Sequence, residues 1–191
     1  MQEIRFHGRG GQGTVVASVL LAKALFKAGY YVQSFPFFGV ERRGAPVEAY
    51  LRYDLEKVCV RTNVYEPDAV VVQDATLING VEVTKGLKPG GWLLVNAPDI
   101  PESLKGLATF RIAAVDAVQI ATDNGLGTRT HPIINTAMVG AFAKILGILP
   151  LAAITETISE EIHIKPAANV SAAEMAFEQV KTVKAEKKMG G

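Results

Sequence analysis

A glycine-rich segment near the start of the chain constrains its fold more than any other feature of the sequence. Residues 8–13 read Gly-Arg-Gly-Gly-Gln-Gly and follow an alternating, strand-like run at residues 4–7. Residues 14–28 come next and carry apolar residues at helical spacing, and residues 30–35 form a second β-rich run. The order strand, glycine turn, helix, strand predicts a βαβ unit whose turn lies at the carboxyl end of its first strand.

The rest of the chain alternates short β-rich runs with helical patterns, which is typical of an α/β layer fold. Residues 46–53 and 57–62 are β-rich and only three residues apart, so we predict an antiparallel hairpin and hence a mixed sheet. Further strands are predicted at residues 69–72, 91–96 and 110–115, and helices at residues 77–85, 117–124, 133–146, 151–159 and from Ala172 onward, with Ser171 as N-cap. The sequence therefore predicts a Rossmann-like three-layer α/β fold with a mixed, mostly parallel sheet and a helical C-terminal part, as one domain over residues 1–191.

Composition narrows the class of protein. Lys and Arg number 20 against 19 Asp and Glu, so the chain lacks the basic surplus of a nucleic-acid-binding protein. Cys59 is the single cysteine, which excludes an intrachain disulfide and a four-thiolate iron–sulfur cluster held by this chain alone, and we expect it to be inert core on a strand. No run approaches the roughly 18 apolar residues of a membrane helix, and no signal peptide is evident. We expect a soluble cytoplasmic protein that binds neither nucleic acid nor membranes.

The glycine-rich segment 8–13 has three interpretations. Glycines allow close approach of a ligand, and a helix that begins at Thr14 offers free N–H groups to a phosphate or carboxylate. A nicotinamide dinucleotide site would add a carboxylate about 20 residues later, at the end of the second strand. Residues 33–36 read Gln-Ser-Phe-Pro there, without an acid. The third interpretation, a turn that needs glycine only for packing, stays open.

A second dense segment occupies residues 37–46, with the sequence Phe-Phe-Gly-Val-Glu-Arg-Arg-Gly-Ala-Pro. Arg42 and Arg43 could present guanidinium groups to a carboxylate or phosphate, or could instead pair locally with Glu41. This segment and the glycine-rich segment both leave strands at the carboxyl edge of the predicted sheet. We therefore expect them to face one site.

Other polar residues carry weaker signals. His7, His131 and His163 show no metal-ligand spacing, and His7 is more typical of a structural histidine than of a ligand contact. Asp74 and Asp116 follow predicted strands, where a carboxylate can cap a helix or take part in catalysis.

The two dense segments together resemble the γ subunit, or γ domain, of 2-oxoacid:ferredoxin oxidoreductases. That family has a strand, a GRGGQG-like loop and a long helix, matched here by residues 8–13, and an FGxERRGAP-like loop, matched by residues 38–46. The helix that follows Pro132, with Asn135 and Gly140, is also similar. The Glu-Arg-Arg-Gly-Ala-Pro form looks more like pyruvate-type γ chains than like 2-oxoglutarate-type chains.

The resemblance implies one subunit of an enzyme that oxidatively decarboxylates a 2-oxoacid to acyl-CoA and CO2 and reduces ferredoxin. Thiamine diphosphate, Mg²⁺ and the iron–sulfur clusters would belong to the α, β and δ subunits, or to fused equivalents, and this chain would hold no cofactor and be inactive alone. Its role would be to pack against the thiamine-binding subunits and to help form the coenzyme A site.

The resemblance also implies which residues form that site, while no residue is predicted to be catalytic or to bind a metal. The implied binding residues are Gly8, Arg9, Gly10, Gly11, Gln12, Gly13, Glu41, Arg42 and Arg43. Two other functions remain as alternatives, a free-standing dinucleotide-dependent dehydrogenase and a non-catalytic assembly module.

Overall fold

A seven-stranded mixed sheet forms the middle layer of the fold in the computed structural model, which describes residues 1–37 and 44–183. The strands are β1 (Gln2–Arg9), β2 (Tyr31–Phe37), β3 (Pro46–Asp54), β4 (Ala69–Val72), β5 (Trp92–Asn96), β6 (Arg111–Val115) and β9 (Lys181–Val183), and a separate hairpin consists of β7 (Gly127–Thr128) and β8 (His131–Pro132). The order of the seven strands across the main sheet is β2-β3-β1-β4-β5-β6-β9.

Five of these strands, β1, β2, β4, β5 and β6, run in one direction, and β3 and β9 run against them. The predicted mixed, mostly parallel sheet is therefore confirmed. Its detail differs from the prediction, because β3 lies between β1 and β2 and pairs antiparallel with both. The opening βαβ unit is thus split, and its two parallel strands are not neighbours.

The predicted hairpin of residues 46–53 and 57–62 is wrong in its second half. Residues 57–62 form no strand, and Cys59 and Val60 are exposed in a loop rather than packed in the core. Two partners already flank β3 on its hydrogen-bonding edges, so the adjacent run has no edge left to join. The alternation of apolar residues in a short segment does not show whether the neighbouring strand still has a free edge for pairing.

Helices cover one face of the sheet, and short elements cover the other. The helices are α1 (Thr14–Lys27), α2 (Glu102–Lys105), α3 (Ala117–Asp123), α4 (Asn135–Leu146), α5 (Leu151–Glu161) and α6 (Pro166–Gln179), and a 3₁₀ helix spans Ala75–Asn79. All but α2 and the 3₁₀ helix pack on the face that receives Ile4 and Phe6. The opposite face is covered by the 3₁₀ helix, turns and α2, which bury Val70 and Val72. Three layers result, as predicted, and the helical C-terminal part is confirmed.

Two helix starts differ from the sequence-based expectation. The predicted helix at residues 77–85 is the shorter 3₁₀ helix followed by turns. The last helix begins at Pro166 instead of Ala172, so Ser171 lies inside it and cannot be its N-cap. Proline fits the first turn of a helix because its missing N–H has no intrahelical partner there, and Lys165 in the left-handed conformation directs the chain into that turn.

Helices α4 and α6 pack closely at Gly140. A Cβ atom added there would lie 2.1 Å from the carbonyl oxygen of Ala173, so only glycine permits this contact between the helices. Asn169 of α6 reinforces it, because its Oδ1 accepts a hydrogen bond from Thr136 Oγ1 in α4 at 3.0 Å. This contact places the start of α4 beside the carboxyl ends of the parallel strands.

The buried side chain of Arg52 binds the loop that follows β3 to the sheet. Arg52 of β3 is 1% exposed and donates from Nε to Glu3 Oε1 at 2.6 Å, from Nη1 to Gln33 Oε1 at 3.1 Å and from Nη2 to the carbonyl of Asn63 at 3.0 Å. One guanidinium group thus joins three strands and the loop that follows β3.

No helix in the described parts of the chain is long and apolar enough to cross a membrane.

Candidate functional site

A cleft of about 690 Å³ opens at the carboxyl ends of β1, β4 and β5. Its walls are the glycine loop (residues 8–13), the turn of residues 73–76, the β7–β8 hairpin and the start of α4. After β1 the chain continues to β2 and β3 on one side of the sheet, whereas β4 lies on the other side. Such a switch point in strand order is where open α/β sheets bind ligands.

Two glycines of the loop are required by packing. A Cβ atom at Gly8 would lie 2.0 Å from Thr14 Oγ1, and one at Gly13 would lie 2.9 Å from Asn135 Nδ2. Gly11 and Gly13 both have a positive φ, 94° and 75°, but Gly11 alone of the three has open space where its side chain would be. The packing interpretation therefore explains Gly8 and Gly13, and the open side of the loop is at Gly11.

Arg9 and Gln12 direct their side chains at the protein itself. Arg9 donates from Nε to Asp74 Oδ2 at 2.9 Å, from Nη1 to the carbonyl of Gly44 at 3.0 Å and from Nη2 to Thr76 Oγ1 at 2.8 Å. Gln12 accepts from the Arg9 amide at 2.8 Å and donates to Asp74 Oδ2 at 3.2 Å. These two predicted binding residues hold the loop in shape.

The glycine loop and the end of the second dense segment are joined through their main chains. The Gly10 amide donates to the carbonyl of Ala45 at 2.9 Å, and the Gly44 amide donates to the carbonyl of Gly10 at 3.2 Å. The two segments therefore meet at one edge of the sheet. Glu41, Arg42 and Arg43 lie outside the described residues, so their part in a site stays a prediction.

Two helix N-termini lie beside the cleft. Helix α1 starts after Gly13 and has neither a side-chain cap nor an acidic residue in its first turn. Helix α4 starts after Ile134, and there Asn135 Oδ1 accepts a hydrogen bond from the Thr136 amide at 2.8 Å. A shallow recess of about 370 Å³ lies against the first turn of α1. Uncapped N–H groups and the positive end of a helix dipole favour an anionic ligand.

Gln73 forms part of the cleft wall and is fully buried. Its Oε1 accepts a hydrogen bond from Thr14 Oγ1 at 2.7 Å, but its Nε2 has no partner among the described residues. A buried donor without a partner costs about 1–3 kcal/mol, so a ligand or water acceptor is expected to satisfy it. Sequence reasoning missed Gln73, although a polar residue directly after four buried apolar residues at a strand end is a usable signal.

His7 is a structural residue, in line with the sequence-based interpretation. It is buried, and Arg5 Nε donates to His7 Nε2 at 3.0 Å. Burial, aided by the charge of Arg5, lowers the pKa of His7 to about 3, so its imidazole is neutral at physiological pH. Its Nδ1 then carries the hydrogen and faces Glu48 Oε1 at 3.5 Å.

Of the remaining candidate residues, two line the cleft and one caps a helix. Arg129 and His131 belong to the β7–β8 hairpin and its tip, and both are exposed and line the cleft. Asp116 caps α3 by accepting a hydrogen bond from the Gln119 amide at 2.9 Å. Within residues 1–37 and 44–183, no group of three His, Cys, Asp or Glu side chains could hold a metal ion.

The split βαβ opening and the cleft at the switch point define an α/β protein with a candidate ligand site at the carboxyl ends of its parallel strands. Residues 3–179 match the family model described as pyruvate ferredoxin/flavodoxin oxidoreductase, and the chain belongs to this family.

Curated relatives and a solved structure agree with this family. The chain is 50% identical over 182 residues to the common γ subunit of the pyruvate/ketoisovalerate oxidoreductases of Thermococcus kodakarensis, covering 93% of this chain and 96% of that one. It is 49% identical over 181 residues to the pyruvate synthase subunit PorC of Methanocaldococcus jannaschii, covering 94% and 97%. The crystal structure of the pyruvate oxidoreductase subunit PORC of Thermotoga maritima superposes with a TM-score of 0.81 at 38% identity, covering 96% and 98%. The chain is thus a γ subunit, one part of a multi-subunit 2-oxoacid:ferredoxin oxidoreductase.

Proposed function

We propose that this γ subunit helps to form the coenzyme A site of an enzyme that oxidatively decarboxylates pyruvate. Pyruvate is favoured because both relatives described above carry it in their names and the Methanocaldococcus jannaschii name carries no other 2-oxoacid, whereas the Thermococcus kodakarensis name adds ketoisovalerate. The assembled enzyme would produce acyl-CoA and CO2 and pass the two electrons released to ferredoxin. Residues 1–191 would act as one domain in the cytoplasm, with no contact to nucleic acid or membranes.

The observation that carries this proposal is a cleft at the switch point of the strand order, beside the α1 N-terminus, which has no side-chain cap. The cleft wall includes Gln73, whose buried Nε2 has no partner among the described residues. Coenzyme A offers phosphate oxygens to helix N-termini and carbonyl oxygens to a side-chain amide. The cleft volume of about 690 Å³ is within the usual range for ligand sites, roughly 300–1,000 Å³. The cleft therefore suits a portion of coenzyme A, and the neighbouring subunits would hold the rest.

The other cofactors would be held outside this chain. Thiamine diphosphate with Mg²⁺ and the iron–sulfur clusters would belong to the α, β and δ subunits or to fused equivalents. This division is supported by the single cysteine of the sequence, since a cluster usually needs four thiolates. By packing against the thiamine-binding subunits, the γ chain would present coenzyme A to the acyl group formed there.

The dinucleotide-dependent dehydrogenase is less well supported by the fold. A dinucleotide fold places the second strand of its βαβ unit next to the first, so that its terminal carboxylate reaches the ribose. Here β3 separates β1 from β2. The side chains of Arg9 and Gln12 are also bound to Asp74. Family membership and this geometry together favour the γ-subunit function.

Arg129 offers a direct test of the coenzyme A site in the assembled complex. Replacing Arg129 by alanine removes an exposed cation from the cleft wall, and we expect the KM for coenzyme A to rise about tenfold, because a charge-assisted contact to phosphate is lost. Steady-state kinetics with ferredoxin reduction as readout would measure it. The matched control is Arg61→Ala, which removes another exposed arginine from the loop after β3. An unchanged KM for coenzyme A in Arg129→Ala would contradict this assignment of the cleft.

A further inference from the structure

We propose that Asp74 is a positioning residue that holds the glycine loop and the end of the second dense segment in the arrangement that coenzyme A requires. This inference rests on the proposed function, because it assigns Asp74 a role at the same cleft.

Asp74 receives hydrogen bonds from two directions. Its Oδ1 accepts from the amide of Thr76 at 3.0 Å and from Thr76 Oγ1 at 2.6 Å, as an N-cap of the short 3₁₀ helix would. Its Oδ2 accepts instead from Arg9 Nε at 2.9 Å and from Gln12 Nε2 at 3.2 Å. Capping accounts for the first oxygen only, so the second oxygen has a separate purpose.

The contact between Asp74 and Arg9 extends to the second dense segment. A guanidinium group is planar and rigid, so an Nε held by Asp74 fixes the direction in which Nη1 reaches the carbonyl of Gly44. Gly44 is also paired with Gly10 through its amide. The β1–β3 ladder pairs Arg9 with Pro46, and through Arg9 the Asp74 carboxylate braces the glycine loop against Gly44, just beyond the end of that ladder.

The charge of Asp74 suits this role. Partial burial acts to raise the pKa of Asp74, but hydrogen bonds from Thr76, Gln12 and Arg9 outweigh it and place the pKa below its ordinary value. The carboxylate is therefore ionised at neutral pH. It also neutralises Arg9, so among the described residues the exposed cation of Arg129 and the α1 N-terminus are the attractors for an anion at the cleft.

The substitution Asp74→Asn separates positioning from capping. Asparagine is a good N-cap and can keep the Thr76 contacts through Oδ1, but its Nδ2 is a donor and would meet the donors of Arg9 and Gln12. The matched control is Asp116→Asn, which alters another acidic cap at the end of a strand, bound to the Gln119 amide. Both variants would be prepared as assembled complexes, and only intact complexes would be compared.

We expect two changes in Asp74→Asn that Asp116→Asn lacks. Hydrogen exchange at the amides of Gly10 and Gly44 should become faster, because the loops lose their anchor. The KM for coenzyme A should rise about tenfold, with kcat and the KM for the 2-oxoacid within about twofold of wild type. Asp74→Glu should recover part of the affinity. In a double-mutant cycle, Asp74→Asn should add little to Arg9→Ala, because Asp74 acts through Arg9.

The possible results separate this inference from the proposed function. Unchanged hydrogen exchange and unchanged KM in Asp74→Asn, with a raised KM in Arg129→Ala, would overturn the role of Asp74 and leave the proposed function standing. Faster exchange in Asp74→Asn, with an unchanged KM for coenzyme A in Asp74→Asn and in Arg129→Ala, would show that Asp74 anchors the loops but would overturn its role for coenzyme A together with the proposed function. Equal effects of Asp74→Asn and Asp116→Asn on stability alone would reduce Asp74 to a helix cap and overturn the inference.

Discussion

At the residue scale, Asp74 is the acceptor on which the polar contacts of the glycine loop converge. The glycine loop lies at the carboxyl end of β1 as expected, but Arg9 and Gln12 contact Asp74. Asp74 could not be distinguished from an ordinary cap, because its partners are about 65 residues away in the chain. Residue types and spacing indicate which chemistry is available, whereas tertiary contacts decide where each polar atom is used.

Arg52 provides a prediction about stability at this scale. Arg52→Ala should lower the free energy of unfolding by about 2–3 kcal/mol, because Glu3 and the carbonyl of Asn63 lose a buried partner, while the remaining 16% exposure of the Glu3 side chain moderates the cost. Chemical denaturation of the purified chain would measure the change. The exposed Arg61→Ala serves as control and should stay within about 0.5 kcal/mol of wild type. Equal values for the two variants would contradict a stabilising role for the buried arginine.

At the element scale, elements with a strong local pattern were predicted correctly, and those that depend on distant partners were not. The helix predicted at residues 133–146 is α4 (Asn135–Leu146), and the strand at residues 69–72 is β4. Residues 57–62 alternate like a strand but remain a loop, because β3 is already paired on both sides. Strand pairing is a long-range choice, so a short window of sequence does not contain the information that decides it.

The contact between α4 and α6 provides a prediction at this scale. Gly140→Ala should destabilise the chain by about 1–3 kcal/mol, because the new methyl group would meet the Ala173 carbonyl and force the helices apart. Thermal unfolding followed by circular dichroism would detect the change. Gly106→Ala is the matched control, since Gly106 has a helical backbone conformation with open space around it, and its Tm should be unchanged or slightly higher. A normal Tm for Gly140→Ala would show that the helices can separate without cost.

At the scale of the whole molecule, the γ chain is one subunit of a multi-subunit enzyme and has a cleft at the carboxyl edge of its sheet. The three-layer fold was predicted from the alternation of elements, since that pattern is distributed over the whole chain. The split of the βαβ unit by β3 was not predicted, because it depends on the path of the chain after β2. That split determines which two segments share the carboxyl edge of the sheet, and it therefore shapes the candidate site.

Affinity isolation from the native cell tests whether the chain is bound to the other subunits of the expected complex. An affinity-tagged chain, purified under anaerobic conditions, should bring with it subunits that contain thiamine diphosphate and iron–sulfur clusters, and the complex should reduce ferredoxin with pyruvate and coenzyme A. Mass spectrometry and the visible absorbance of the clusters would establish the composition. The same chain produced alone is the control, and we expect it to have neither cluster absorbance nor activity. Activity of the isolated chain would contradict the assignment as a dependent subunit.

The two outer strands of the sheet limit how this chain can associate with others. β2 forms one edge and carries Pro36, whose nitrogen has no hydrogen to donate to a neighbouring strand. Among the described residues, β9 forms the other edge with Lys181–Val183. An interrupted edge is a poor template for adding a strand from another molecule, and open-ended growth of a sheet needs both edges. Free chains awaiting their partner subunits are thereby protected from joining edge to edge into open-ended aggregates.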